Sequence, residues 1–167
     1  MQGRALAAAG LLVLLAACGG GGGDDAAAHS HDHAHSHSMD EEMASFAFGE
    51  PGLASAATRT IEISAQDPYS FEPAALEVEP GETVTFVVTN EGEQEHEFVL
   101  GDVGYQEEHG EAMAAGEMHH EGNAVTVAPG ATEELTWIFP ESGEVFYACH
   151  VDGHYDAGMV GAISVSG

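Results

Sequence analysis

From Arg59 onward, apolar and polar residues alternate in short runs. "TIEIS" sets Ile61 and Ile63 on one face of an extended segment, "TVTFVVT" does the same with Val84, Phe86 and Val88, and "ELTWIF" with Leu135, Trp137 and Phe139. A period of two marks strands with one buried face. Pro80-Gly81, Asn90-Glu91-Gly92, Pro129-Gly130 and Ser142-Gly143 fall between these runs and supply turn chemistry. Short strands punctuated in this way over about a hundred residues predict an all-β fold. The expected architecture is an antiparallel Greek-key β-sandwich over residues 58–167, large enough to bury a core without disulfides. Alternation stops at 104–123, "GYQEEHGEAMAAGEMHHEGN", which predicts a short helix or a long loop inserted between strands.

The N-terminal third has another character. It opens "MQGRALAAAGLLVLLAACGGGGG", with one positive charge at Arg4 and an apolar run from Ala5 to Ala17. That run is shorter than the ~20 residues a spanning helix needs and has the layout of a secretory signal. Export is therefore expected, with residues 1–17 as the signal peptide. Leu15-Ala16-Ala17-Cys18 resembles a bacterial lipobox, in which the cysteine is acylated and becomes the mature N-terminus. Acyl chains on Cys18 would anchor the protein to the bacterial cell membrane on its periplasmic or cell-surface side. The alternative is an ordinary cleaved signal with a chance cysteine.

Residues 18–57 are glycine, alanine, serine, acid and histidine with no sustained apolar period, and read as a disordered tether. Within it, "HSHDHAHSHS" places His29, His31, His33, His35 and His37 at every second position. Imidazoles on a flexible backbone can converge on one borderline ion such as copper, zinc or nickel. The other reading is a polar spacer.

Charge narrows the partners. Twenty-nine acidic residues face two basic ones, with no lysine. Such a surface repels nucleic acid and anionic headgroups, and argues against tight self-association at low salt, so a monomer is expected. The acids are spread along the chain, as solubility or salt adaptation would have them; steering toward a basic redox partner or metal cations is the sharper alternative.

If Cys18 is consumed by lipidation, Cys149 is the one remaining thiol. A lone thiol in an oxidising compartment is a reactive liability or a metal ligand. In "EVFYACH", alternation puts Val145, Tyr147 and Cys149 on one face, and Phe146, Ala148 and His150 on the other. A glycine-containing loop then returns His154 and Met159 to the strand's end. Thiolate, imidazole and a weak thioether together suit an ion cycling between Cu(I) and Cu(II). "EQEHEFVL" offers a further imidazole, since His96 shares a face with Phe98 and Leu100 and so turns inward. His150 should point away from Cys149, as packing or surface, with a docking or alternative-ligand role as the other reading.

His96 followed at a distance by Cys-x4-His-x4-Met resembles the type 1 (blue) copper motif of the cupredoxins, and "FEPAALEVEPGETVTFVVTN" is similar to their early strands. The histidine-rich N-terminus, "HEFVLG" and "HYDAGMVG" resemble the exported copper-resistance cupredoxins in particular. The resemblance covers residues 59–167 nearly throughout. It implies His96, Cys149 and His154 as a trigonal copper set with Met159 as a long axial ligand, suited to one-electron transfer and not to catalysis. Two departures stand out: Asp152 replaces the usual proline, and Glu97 stands where many cupredoxins have an asparagine that pins the ligand loops.

The insertion adds His109, Met113, Met118, His119 and His120. If its first half is helical, His109 and Met113 share a face and the later cluster could close a second copper site. A solvated loop with exposed methionines is the competing reading.

Three functions compete. The first is a membrane-tethered protein of copper homeostasis and resistance, whose tether and insertion collect ions and whose type 1 centre buffers or reduces them. The second is a one-electron carrier between respiratory or other redox partners, for which Val151, Tyr155, Ala157 and Val160 would surround an exposed edge of His154. The third, a copper oxidase or nitrite reductase, needs clustered histidines that one small domain does not supply. Five alternating tether histidines make little sense for a pure shuttle, so the first is preferred.

Overall fold

The structure, a computed structural model, describes residues 45–117, 121–140 and 142–167. The expected signal peptide, Cys18, the histidines from His29 to His37, and Met118, His119 and His120 lie outside the described residues. Among the described residues ten strands and one α-helix follow in order, with a 3-10 turn at Ala54–Ala56 after the first strand: β1 Glu50–Pro51, β2 Arg59–Gln66, β3 Ser70–Glu72, β4 Ala75–Val78, β5 Thr83–Asn90, β6 His96–Gly101, α1 Val103–Ala114, β7 Ala124–Val127, β8 Thr132–Ile138, β9 Gly143–Ala148 and β10 Val160–Val165.

The strands form two five-stranded sheets, β1-β8-β5-β2-β3 and β4-β10-β9-β6-β7. The chain crosses between them from β3 to β4, from β4 to β5, from β5 to β6, from β7 to β8 and from β8 to β9, as a Greek-key sandwich requires. Most neighbours are antiparallel as expected, but β2 pairs with β5 and β4 with β10 in parallel. Parallel neighbours need crossover connections, and here the intervening strands provide them.

The alternation read from the sequence is the core. Ile63, Val84, Phe86, Val88, Phe98, Leu100, Trp137, Val145 and Tyr147 are all essentially inaccessible to solvent. Their inward faces meet between the sheets, which is the large favourable term for a domain of this size. Tyr147 packs so closely on β10 that a Cβ at Gly161 would overlap its ring, and its hydroxyl donates to the carbonyl of Pro73.

The folded region begins before the expected boundary at 58. Phe46 and Phe48 stack on one another with centroids 4.8 Å apart, and Phe48 stacks on Trp137 at 5.7 Å. The indole of Trp137 donates to the Phe48 carbonyl at 3.1 Å. β1 then adds to the edge of β8, with Glu50 opposite Ile138, so residues 46–57 are part of the sandwich and not of a tether. Two phenylalanines with one residue between them carried that signal, but the surrounding small and acidic residues masked it.

The first half of the insertion is a helix. Asp102 caps α1, its Oδ1 accepting from the Tyr105 N–H at 2.8 Å, which satisfies one of the free donors of the first turn. α1 presents Gln106 and His109 to the sandwich and lies against β6 and β9, beside the candidate centre.

Candidate metal centre

β6 begins at His96 and β9 ends at Ala148, with Cys149 next. These strands are neighbours, with Val99 opposite Ala148, so the first histidine and the cysteine meet at one end of the sandwich. Beyond Cys149 the chain loops out and returns at Met159. The Cys149 N–H donates to the Met159 carbonyl at 3.1 Å, the Met159 N–H to the His154 carbonyl at 3.0 Å, and the His154 N–H to the Val151 carbonyl at 2.9 Å. Gly153 and Gly158 take positive φ of 82° and 95°, a conformation that favours glycine and lets the loop fold back on itself. These bonds hold all three loop positions, 149, 154 and 159, at the mouth of the sandwich.

Three donor atoms converge. His96 Nδ1 lies 3.3 Å from His154 Nδ1, and Cys149 Sγ lies 3.9 Å from the first and 3.3 Å from the second. Every pair falls within 4.8 Å. His96 and Cys149 are inaccessible, His154 nearly so, and Met159 is wholly buried beside them. The Glu97 peptide N–H points at the Cys149 sulfur from 3.3 Å, a donor that stabilises negative charge there. Among the described residues this is the one group of three or more histidine, cysteine or carboxylate donors so arranged.

Burial sets the protonation of the donors. It pushes the Cys149 thiol up to about 11, against the opposing Glu97 and Val151 peptide N–H groups. Burial also lowers His96, with Asp67 opposing, and lowers His154, with the neighbouring His96 adding to the effect. Both imidazoles are therefore neutral, as a metal ligand must be, whereas the thiol has to surrender its proton when an ion binds. Two facing ring nitrogens and a sulfur, buried together, are poorly matched to one another. A soft-to-borderline ion placed among them satisfies all three, so the donor set fits copper.

The remaining candidates are placed differently. His109 turns inward from α1, with Nε2 3.3 Å from both carboxylate oxygens of Glu97, and its ring meets that of His150 edge-on at 5.1 Å. Met113, one turn further, is half-buried and lines a surface groove with His150 and Tyr155. His109 and Met113 stand four residues apart on α1, and the inward-facing ring of His109 is engaged by the buried Glu97. His150 points away from the centre as expected. Its Nε2 donates to Gln106 Oε1 at 2.7 Å, because the Gln106 amide nitrogen is already spent on the Val99 carbonyl at 2.9 Å.

Three residues around the site escaped the sequence. Asn90, read only as a turn residue, donates from Nδ2 to the carbonyls of Gln94 at 2.7 Å and Val127 at 2.8 Å, and accepts on Oδ1 from the Gly92 N–H at 2.9 Å. It ties the turn before β6 to the end of β7. Asp67 and Tyr69 come from the β2–β3 turn, "QDPYS". Tyr69 lies tilted over His154, with centroids 4.2 Å apart and ring planes 34° from parallel. The Glu93 peptide N–H and, more weakly, His96 hold the Asp67 carboxyl below its usual range. Only the Asp-Pro turn signal was visible there, and nothing local connects it to residues so far along the chain.

Comparison with known proteins agrees with this geometry. A family model, "Copper binding proteins, plastocyanin/azurin family", matches residues 57–166. The copper-resistant cuproprotein CopI of Rubrivivax gelatinosus is 42% identical over 120 residues, covering 71% of this chain and 73% of that protein. The protein of the same name from Pseudomonas aeruginosa is 40% identical over 150 residues, covering 71% and 82%. Among solved structures, auracyanin A of Chloroflexus aurantiacus, a "blue" copper protein, superposes with a TM-score of 0.56 at 26% identity, covering 64% of this chain and 98% of that one. A β-sandwich with His96, Cys149 and His154 gathered at one end, matched along its folded length, places this chain in the plastocyanin/azurin family of copper-binding cupredoxins.

Proposed function

We propose that the protein serves copper resistance as an exported, lipid-anchored cupredoxin whose His96, Cys149, His154 and Met159 form a type 1 copper centre. The observation that carries this reading is the convergence of two imidazole nitrogens and one thiol sulfur in a buried cluster. The names of the CopI relatives support the biological role, and the blue copper of auracyanin A supports the type of centre. Copper held there would supply one-electron chemistry between Cu(I) and Cu(II). The chain's own part is to exclude water, keep both imidazoles neutral and hold the donors in place. The histidines from His29 to His37 and those of the insertion would gather further ions, and Cys18 would anchor the protein to the bacterial cell membrane on its periplasmic or cell-surface side.

The carrier reading loses support at His154. Its ring is almost fully covered, with Tyr69 lying over it, whereas a shuttle of the usual kind exposes that edge to its partner. Deleting residues 29–37 separates the two: reduced copper tolerance with intact respiration supports resistance, and the reverse sinks it. The centre itself is tested by a visible spectrum of the full chain titrated with Cu(II). An intense thiolate-to-copper band, saturating at one ion and lost in Cys149→Ser, is expected; a colourless protein would refute the type 1 assignment.

A further inference from the structure

The β2–β3 turn contributes no donor atom to the cluster, yet it touches both histidines. Asp67 Oδ1 lies 3.5 Å from His96 Nε2, a buried nitrogen that has no hydrogen-bond partner. The other oxygen of Asp67 accepts from the Glu93 peptide N–H at 2.8 Å. A Cβ at Gly92 would lie 2.9 Å from the carboxylate, so the turn before β6 packs directly on this side chain. Tyr69, at a positive φ of 64° unusual for a side chain of its size, is held over His154.

We propose that Asp67 is a positioning residue of the metal centre: its carboxylate takes the Nε2–H of His96 and so fixes the ring with the Nδ1 lone pair facing Cys149 and His154. This rests on the reading of the cluster as a copper site. A neutral imidazole has one N–H, and it resides on the nitrogen that faces an acceptor. Nε2 faces a carboxylate, while Nδ1 faces a sulfur and another ring nitrogen. The present separation exceeds a charge-assisted contact of roughly 2.7–2.9 Å by less than an ångström, within reach of a small ring rotation. Leaving a buried N–H unmet is costly, which favours that closure.

The geometry also explains why the residue must be an aspartate. One donor comes from the Glu93 backbone and one from His96, and a carboxylate offers an acceptor oxygen to each. An asparagine at 67 could accept from only one of them. The negative charge has a second effect: set against a ligand imidazole, it raises the basicity of that ligand and favours the more highly charged ion. Asp67 therefore draws the centre toward Cu(II).

The test reads the His96 ring nitrogens of the full-length, metal-free chain by long-range proton–nitrogen correlation at neutral pH, in the wild type, D67A and D67N. The wild type is expected to carry the proton on Nε2, with a slowly exchanging, downfield Hε2. D67A is expected to populate both tautomers. D67N keeps the side-chain volume should D67A fold poorly, and is expected to move Hε2 upfield and speed its exchange. In copper-loaded protein, both variants should keep the thiolate-to-copper band and show a higher reduction potential. His96 nitrogens unchanged in both variants would overturn the proposal, including the case in which only the Glu93 amide moves, which would reduce Asp67 to a fastener of the turn. A wild type with no thiolate band would defeat the copper reading instead, while the nitrogen pattern of the metal-free chain would still decide the role of Asp67.

Discussion

The Asn90 amide donates to the Val127 carbonyl at 2.8 Å, joining the last residue of β5 to the last residue of β7 across two sheets. The same nitrogen reaches Gln94, so one side chain holds the turn that delivers His96. Asn90→Ala leaves two carbonyls without this donor, one of them buried, and should cost about 2–3 kcal/mol by the usual penalty for unmet buried groups. Thermal unfolding of the variant, read beside its copper band, checks this. An unchanged melting temperature would show that the turn is held without Asn90.

Copper itself should stabilise the fold. A ligand that binds only the native state contributes about 2.7 kcal/mol at a hundred times its dissociation constant. For a domain of roughly a hundred residues this amounts to a rise of about 10–20 °C in melting temperature. Cys149→Ser should lose most of that rise. Because burial raises the thiol to about 11, binding must release a proton, and its affinity should weaken as the solution is acidified.

The structure moves the start of the domain toward the N-terminus, and that too can be measured. A chain beginning at residue 58 lacks β1, Phe46 and Phe48, and uncovers Trp137. It should melt well below one beginning at residue 45. Phe48→Ala in the longer form should cost about 3–5 kcal/mol, the range for removing a buried phenylalanine. Equal melting of the two forms would deny the N-terminal segment any part in the core.

Acid should act through His150. Burial, reinforced by His109, lowers it to about 4, below its ordinary value near 6.5. The unfolded chain therefore binds more protons than the folded one between those values, and the stability contributed by a neutral His150 is lost as pH falls through that window. Lowering the pH also relieves repulsion among the many carboxylates, so the informative quantity is the difference from His150→Gln in metal-free protein. That difference should shrink between pH 7 and 4.5 by on the order of 2 kcal/mol. A difference that stays constant would mean that His150 titrates normally.

Much of this was legible in the chain. Strand faces follow a period of two, so Phe86, Trp137 and Tyr147 announced the core, and Cys149 and His154 pointed to the cluster they form with His96. The parallel pairings of β2 with β5 and of β4 with β10 were not legible, because alternation fixes which face is buried and not which strand lies beside which. Asp67, Tyr69 and Asn90 were missed for a related reason. Each acts on the centre through a contact that the fold creates, and their local sequence carries only the signature of a turn. The inward turn of His109 was hidden similarly, since helical spacing alone cannot say that Glu97 waits beneath it.

The backbone bond between Cys149 and Met159 turns the segment between them into a ring of fixed circumference. Side chains on its outer rim, such as Asp152 and Asp156, can change freely, but adding or removing a single residue would open the ring and carry His154 or Met159 out of place. Length should therefore be the strictly inherited property of this segment across related chains, more so than its composition.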